Sequence, residues 1–187
     1  KLSADELIDL LDIVFTRFDT ICQKHGLEKI KTIGDAYMAV CGAPVVRDNH
    51  AERAVLAALE MLEDFSIEQQ FSAPINLGFR IGIHCGSVVA GIIGENKNSY
   101  DLWGDAVNTG SRMEHYGEED KIHVSEGFVR ELKVKSEQLK VKSEELKIGK
   151  EEQLLITINS SLITAFPRGE MEIKGKGMMK TYFLESR

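Results

Sequence analysis

An α+β fold is predicted by three features of the sequence. Apolar residues recur at helical spacing in two segments of the N-terminal third. Strict apolar-polar alternation runs from Ile75 to Cys85. Two glycine-containing turns, Gly34-Asp35 and Gly175-Lys176-Gly177, each separate a pair of strand-like runs. The first feature has a period near 3.6 and the others a period of 2, so helices covering one face of a largely antiparallel sheet are expected.

The 187 residues suit one domain with a sizeable core, and 43% hydrophobic with 28% charged residues fits an ordinary globular chain. The net charge of −7 argues against a nucleic-acid or anionic-membrane surface, where a basic stripe would be expected. Cys22, Cys41 and Cys85 are odd in number and far apart, which predicts small core residues rather than a disulfide or zinc framework. No apolar run reaches membrane-span length and the N-terminus is not a signal peptide, so a cytoplasmic domain is expected.

Ser3 and Glu6 form a capping box ahead of Leu7, Leu10, Leu11, Val14, Phe18 and Ile21, and Lys24, His25 and Gly26 mark the helix end. Glu28 to Val40 reads as a hairpin turning at Gly34-Asp35. Asp48 is expected to cap a second helix with Ala51, Ala54, Val55, Ala58, Leu59 and Leu62 inside. The stretch from Phe79 to Met113 holds a strand, glycines at 86, 91 and 94, an apolar-polar run from Tyr100 to Trp103, and a helix opened by Asp105. On that helix Asn108 and Arg112 stand four apart and share a face. By itself such a pair is commonly just a solvated surface. His84 sits among apolar strand residues and is assigned no role.

Ile122 to Val124 reads as a short strand and Ser125 to Leu132 as a short helix. Then comes a tandem repeat, LKVKSEQ-LKVKSEE-LKIGKEEQ, from Leu132 to Gln153. Leucines recur every seven residues, but no second apolar position completes a coiled-coil seam. A solvated, partly helical or disordered extension is expected, an insertion at about residues 133–163 in a single domain of residues 1–187.

Three stretches resemble the motifs of class III nucleotidyl cyclases, in family order: IKTIGDAYMAV (30–40), YDLWGDAVNTGSRME (100–114) and EIKGKG (172–177). The resemblance implies a ferredoxin-like βαββαβ core and conversion of a nucleoside triphosphate into a cyclic monophosphate plus pyrophosphate. It implies that Asp35 is a metal-binding carboxylate for two Mg²⁺ or Mn²⁺ ions, whose preference for oxygen ligands suits it. It implies that Asn108 orients the ribose, Arg112 stabilises transition-state charge, and Lys174 neutralises the terminal phosphates. Lys176 is expected to be a solvated turn residue.

Lys31 and Asp101 match the pair that reads adenine in the family's adenylate cyclases. An ammonium donates to a ring nitrogen, and a carboxylate accepts from the exocyclic amine. The family's guanylate cyclases carry Glu and Cys there, and this chain has neither, so ATP is the expected substrate. In the family each site lies between two subunits, so the resemblance implies a head-to-tail homodimer of this chain, and sensory or regulatory domains are expected outside this stretch. In the family a strand bearing a second metal-binding Asp precedes the first helix, and the sequence without it reads as part of a longer protein. A guanylate cyclase, a catalytically silent nucleotide-binding or regulatory domain, and a ferredoxin-like binding module are the alternatives.

Overall fold

The structure, a computed structural model, describes residues 2–63, 77–93, 99–138, 143–148, 151–158 and 161–186. It divides into two compact units, residues 1–78 and 79–187. Both mix helices with mostly antiparallel strands, the α+β class expected.

The first unit opens with α1, Ala4–His25. Ser3 Oγ accepts from the Glu6 amide at 3.2 Å, and Glu6 Oε2 accepts from the Ser3 amide at 2.8 Å, which satisfies two free donors of the first turn. Leu10, Val14, Phe18, Ile21 and Cys22 form the buried stripe, while Leu7 faces solvent. Gly26, at φ 72°, ends the helix, and the Leu27 amide reaches back to the Cys22 carbonyl at 2.8 Å.

Strands β1 (Glu28–Ile33) and β2 (Ala36–Val40) pair antiparallel, closing at Ile33 opposite Ala36. The two-residue turn between them puts positive φ on Gly34 alone, at 63°, which is the demand of a II′ hairpin.

Helix α2 spans His50–Leu62. Its cap corrects the expectation at Asp48: the cap position falls on Asn49, whose side chain bonds no helix amide and instead accepts from Arg53 Nε at 2.8 Å. Asp48 lies one residue too early in the preceding turn. The last turn of α2 holds no basic residue, and α1 supplies one. Arg17 donates to the Glu60 and Glu63 carbonyls at 3.1 and 2.9 Å, and Lys24 and His25 meet the Glu60 carboxylate at 2.8 and 2.6 Å.

The second unit contains β3 (Arg80–Ile83), β4 (Val89–Ile93), β5 (Ser99–Trp103), α3 (Asp105–His115), β6 (Lys121–Ser125), α4 (Glu126–Gln138), β7 (Ser143–Ile148), β8 (Glu151–Ile158), β9 (Ser161–Ile173) and β10 (Gly177–Ser186). Six strands form one sheet in the order β3-β6-β10-β9-β8-β7, and β4-β5 make a separate ribbon. Among the described strands only β3 and β6 run parallel, so the chain between them must cross over, and α3 lies on that crossover. Ile122, Val124, Phe128, Leu132, Ile156, Ile163 and Ile173 are the heart of this unit's core.

The expectation for residues 133–163 needs correction. The first repeat continues α4 to Gln138, whereas residues 143–148 and 151–158 are strands of the main sheet. Residues 139–142, in the second repeat, lie outside the described residues. Leu154, Leu155, Ile156, Ile158 and Ile163 are all buried. Lysines and glutamates dominate the repeat, and beyond them Leu154 to Ile158 is a β-prone run that completes β9 by backbone pairing. Among the described residues no helix is long and apolar enough to cross a membrane.

Candidate active site

Helix α3 carries Asn108 and Arg112. Gly104, at φ 144°, starts it in a conformation open to glycine, and Thr109 and Met113 turn inward with almost no exposure. The opposite side lines a shallow groove of about 260 Å³ bounded by Asn108, Ser111, Arg112, Glu114 and His115. The structure therefore brings the two expected residues to one surface. An amide and a guanidinium there can hydrogen-bond a sugar hydroxyl and pair with a phosphoryl oxygen.

Both ends of α3 are tied down. At the C-terminal end His123 Nδ1 lies 2.7 Å from the Met113 carbonyl; because a carbonyl only accepts, Nδ1 carries the proton. Burial holds the His123 imidazole below its ordinary pKa, and its Nε2 has no partner among the described residues. Arg168 donates to the Tyr116 carbonyl while lying over the Phe183 ring at 5.0 Å. Arg80 pairs with Glu114 at 3.0 Å. At the N-terminal end Lys176 pairs with the Asp105 carboxylate. Lys176 is an exposed turn residue, as expected, but a partner 71 positions away in sequence engages its ammonium.

Lys174 shares that turn and is exposed; no ion pair engages it among the described residues. Asp101 lies on β5 opposite Gly91, half-buried, with one oxygen accepting from the Leu102 amide at 2.8 Å. Lys31 is half-buried on β1 opposite Met38, and Asp35 stands exposed at the hairpin tip. Lys31 and Asp35 belong to the first unit, whereas Asp101, Asn108, Arg112 and Lys174 belong to the second.

No three metal-ligating side chains converge among the described residues. A lone exposed carboxylate is still a fitting donor for Mg²⁺, which keeps waters and takes substrate phosphates rather than a protein cage. When bound, such ions supply charge neutralisation and activation of a hydroxyl.

His84, given no role from sequence, lies 2.6 Å through Nδ1 from Ser125 Oγ, which also accepts from the Phe128 amide at 3.2 Å and so caps α4. Burial first, and then the Lys176 charge, push the His84 pKa down. Sequence reading missed the supports at His123, Arg168 and Lys176. Only Lys176 left a trace, as the second lysine of the KGKG turn.

A family model of the adenylate and guanylate cyclase catalytic domain matches residues 1–160. The chain is 36% identical over 181 residues to the soluble guanylate cyclase subunit beta-2 of Rattus norvegicus, covering 96% of this chain and 22% of that protein. It is 46% identical over 128 residues to the germination-specific adenylate cyclase of Dictyostelium discoideum, covering 66% of this chain and 15% of that one. The guanylate cyclase domain of RhGC from Catenaria anguillulae, solved in complex with GTP, superposes with a TM-score of 0.76 at 32% identity, over 100% of this chain and 87% of that chain.

The chain belongs to the class III nucleotidyl cyclase family, as a catalytic domain. Guanylate cyclases predominate among its relatives by name, and it spans 14% to 25% of the length of the first of them.

Proposed function

We propose that this domain is an adenylate cyclase, converting ATP to 3′,5′-cyclic AMP and pyrophosphate for intracellular signalling. The observation that carries this reading is the pair Lys31 and Asp101, one hydrogen-bond donor and one acceptor on half-buried strand positions. Adenine offers an acceptor nitrogen and a donor amine to such a pair. Guanine offers a carbonyl oxygen and an N–H at the same edge, which would leave both side chains mismatched, and mismatched buried polar groups are costly.

In this reading Asn108 orients the ribose so that its 3′-hydroxyl is in line with the α-phosphorus. Arg112 stabilises charge on the phosphoryl oxygens as the bond to pyrophosphate breaks, a fixed cation that needs no reorganisation. Lys174 neutralises the leaving pyrophosphate, and Asp35 holds Mg²⁺ or Mn²⁺. Two copies of the chain complete each site, with Asp35 from one and Asn108 with Arg112 from the other.

A guanylate cyclase is the second reading, favoured by the relatives' names and by the GTP-bound RhGC domain. The deciding experiment supplies the full-length protein with ATP or GTP, and Mg²⁺ or Mn²⁺, and measures each cyclic product. Cyclic AMP in large excess is expected; a preference for GTP replaces the proposal with the second reading.

A further inference from the structure

We infer that Lys176 is a positioning residue, whose ion pair with Asp105 sets where the neighbouring Lys174 stands relative to Asn108 and Arg112. The inference rests on the site reading above. It starts from a division of labour within four residues: of the two lysines in Lys174-Gly175-Lys176-Gly177, one is ion-paired and the other is in no ion pair among the described residues.

The turn is tight. The Lys176 amide donates to the Ile173 carbonyl at 2.8 Å, and Gly175 and Gly177 take φ values of 80° and 74°, which only glycine adopts freely. Fixing the Lys176 side chain therefore fixes the Lys174 backbone two residues away.

The anchor point is equally specific. Asp105 is the first residue of α3, and residues 105, 108 and 112 follow the i, i+3, i+7 stripe of one helix face. Asp105 and Arg112 are two turns apart, about 10 Å along the axis. The ion pair consequently parks the lysine turn at the N-terminal end of the stripe whose other members are Asn108 and Arg112. It also neutralises the one carboxylate on that stripe, which would otherwise repel an anion.

A stability role does not account for the pair. The side chains are 28% and 69% exposed, and exposed ion pairs contribute little to folding. What a partly exposed pair can do is choose one position for a loop among several of similar energy.

The test uses Lys176→Met, Asp105→Asn, the double variant and Lys176→Arg in the full-length protein, with circular dichroism to establish that each folds. Both single variants should raise KM for the nucleoside triphosphate about fivefold with little change in kcat. The double variant should be no worse than the poorer single, and Lys176→Arg should behave as the parent. In parallel, amide hydrogen exchange over residues 104–108 and 174–177 should quicken in both segments for either single variant.

If the two substitutions multiply, or if Asp105→Asn is neutral or lowers KM, Lys176 acts on the ligand directly and the inference fails. It fails too if no variant changes KM. A parent that cyclises neither ATP nor GTP sinks the functional reading instead. The exchange measurement then judges the clamp alone, and unlinked segments would overturn it.

Discussion

Gly82 of β3 lies against the backbone of Glu114 in α3 so closely that a Cβ on the glycine would stand 2.0 Å from the Glu114 nitrogen and 2.6 Å from its Cα. No side chain can yield there, because backbone faces backbone. Gly82→Ala must push α3 off the sheet, and with it Asn108 and Arg112. A loss of about 3 kcal/mol or more is expected, seen as a lower Tm, together with a fall in kcat. A variant with parental Tm and turnover would show that α3 is not seated as described.

Acid should weaken the fold through the buried His123 and the half-buried His84. His84 and His123 are held below the ordinary value of 6.5, in both cases mainly by burial. Well above pH 6.5 both are neutral whether folded or not, and they impose no penalty. As pH falls below that value the unfolded chain takes up protons first. Stability then declines by up to about 1.4 kcal/mol per pH unit for each histidine, until the folded-state groups titrate. Denaturant midpoints measured between pH 7.5 and 5 should therefore drop, and His123→Gln should flatten the curve. An unchanged slope would place the acid sensitivity elsewhere.

Base choice can be moved by two residues if Lys31 and Asp101 read adenine. Lys31→Glu with Asp101→Cys should cut ATP turnover and raise relative GTP use, by about tenfold or more in the ratio of kcat/KM values. Equal preference before and after would remove these residues from the specificity argument.

Sharing of the site between two chains is open to a mixing experiment. Asp35→Ala and Arg112→Ala should each be nearly inactive alone. Co-expressed, they form about half mixed dimers in which one site carries both defects and the other none, so activity should recover to roughly a quarter of the parent. Folded, subunit-exchanging variants that recover nothing would point to a site within one chain.

The charged repeat and the apolar run after it should respond differently. Replacing Lys135 to Lys150 with a short flexible linker removes the end of α4 and the edge strand β7, which among the described strands pairs with β8 alone, so folding and turnover should be nearly retained. Ile156→Ala, at a residue 1% exposed, should cost about 2–5 kcal/mol. Equal effects in thermal melts would contradict this partition.

How far the sequence discloses the molecule depends on how local each determinant is. The capping box at Ser3, the hairpin at Gly34-Asp35 and the Asn108–Arg112 face are written in residues at most four apart, and all three are present in the structure. The cap of α2 lay one residue beyond reach because Asp48 and Asn49 are chemically alike. Leu154 to Ile158 was misjudged because the composition of the preceding repeat masked five residues of strand. The supports of α3 come from His123, Arg168 and Lys176, at separations of 10, 52 and 71 residues from their partners. Pairings over such distances have no periodicity to betray them. The mutual placement of Lys31, Asp35, Asp101, Asn108, Arg112 and Lys174 was legible only through family resemblance, as an expectation.

The same seven-residue phrase continues a helix in its first copy and contributes to strands in its later ones, and the two settings count residues differently. Seven residues advance a helix by nearly two whole turns, leaving a drift of only about 20°. Copies gained or lost on the α4 side of the junction would thus lengthen or shorten a rod without rotating the face it shows. Seven is an odd step along a strand, so the same event taken up within β8 would exchange inside for outside at Leu154, Ile156 and Ile158. A duplication of the phrase would thus be tolerated on one side of the junction and punished on the other, a ratchet set by arithmetic rather than by any contact.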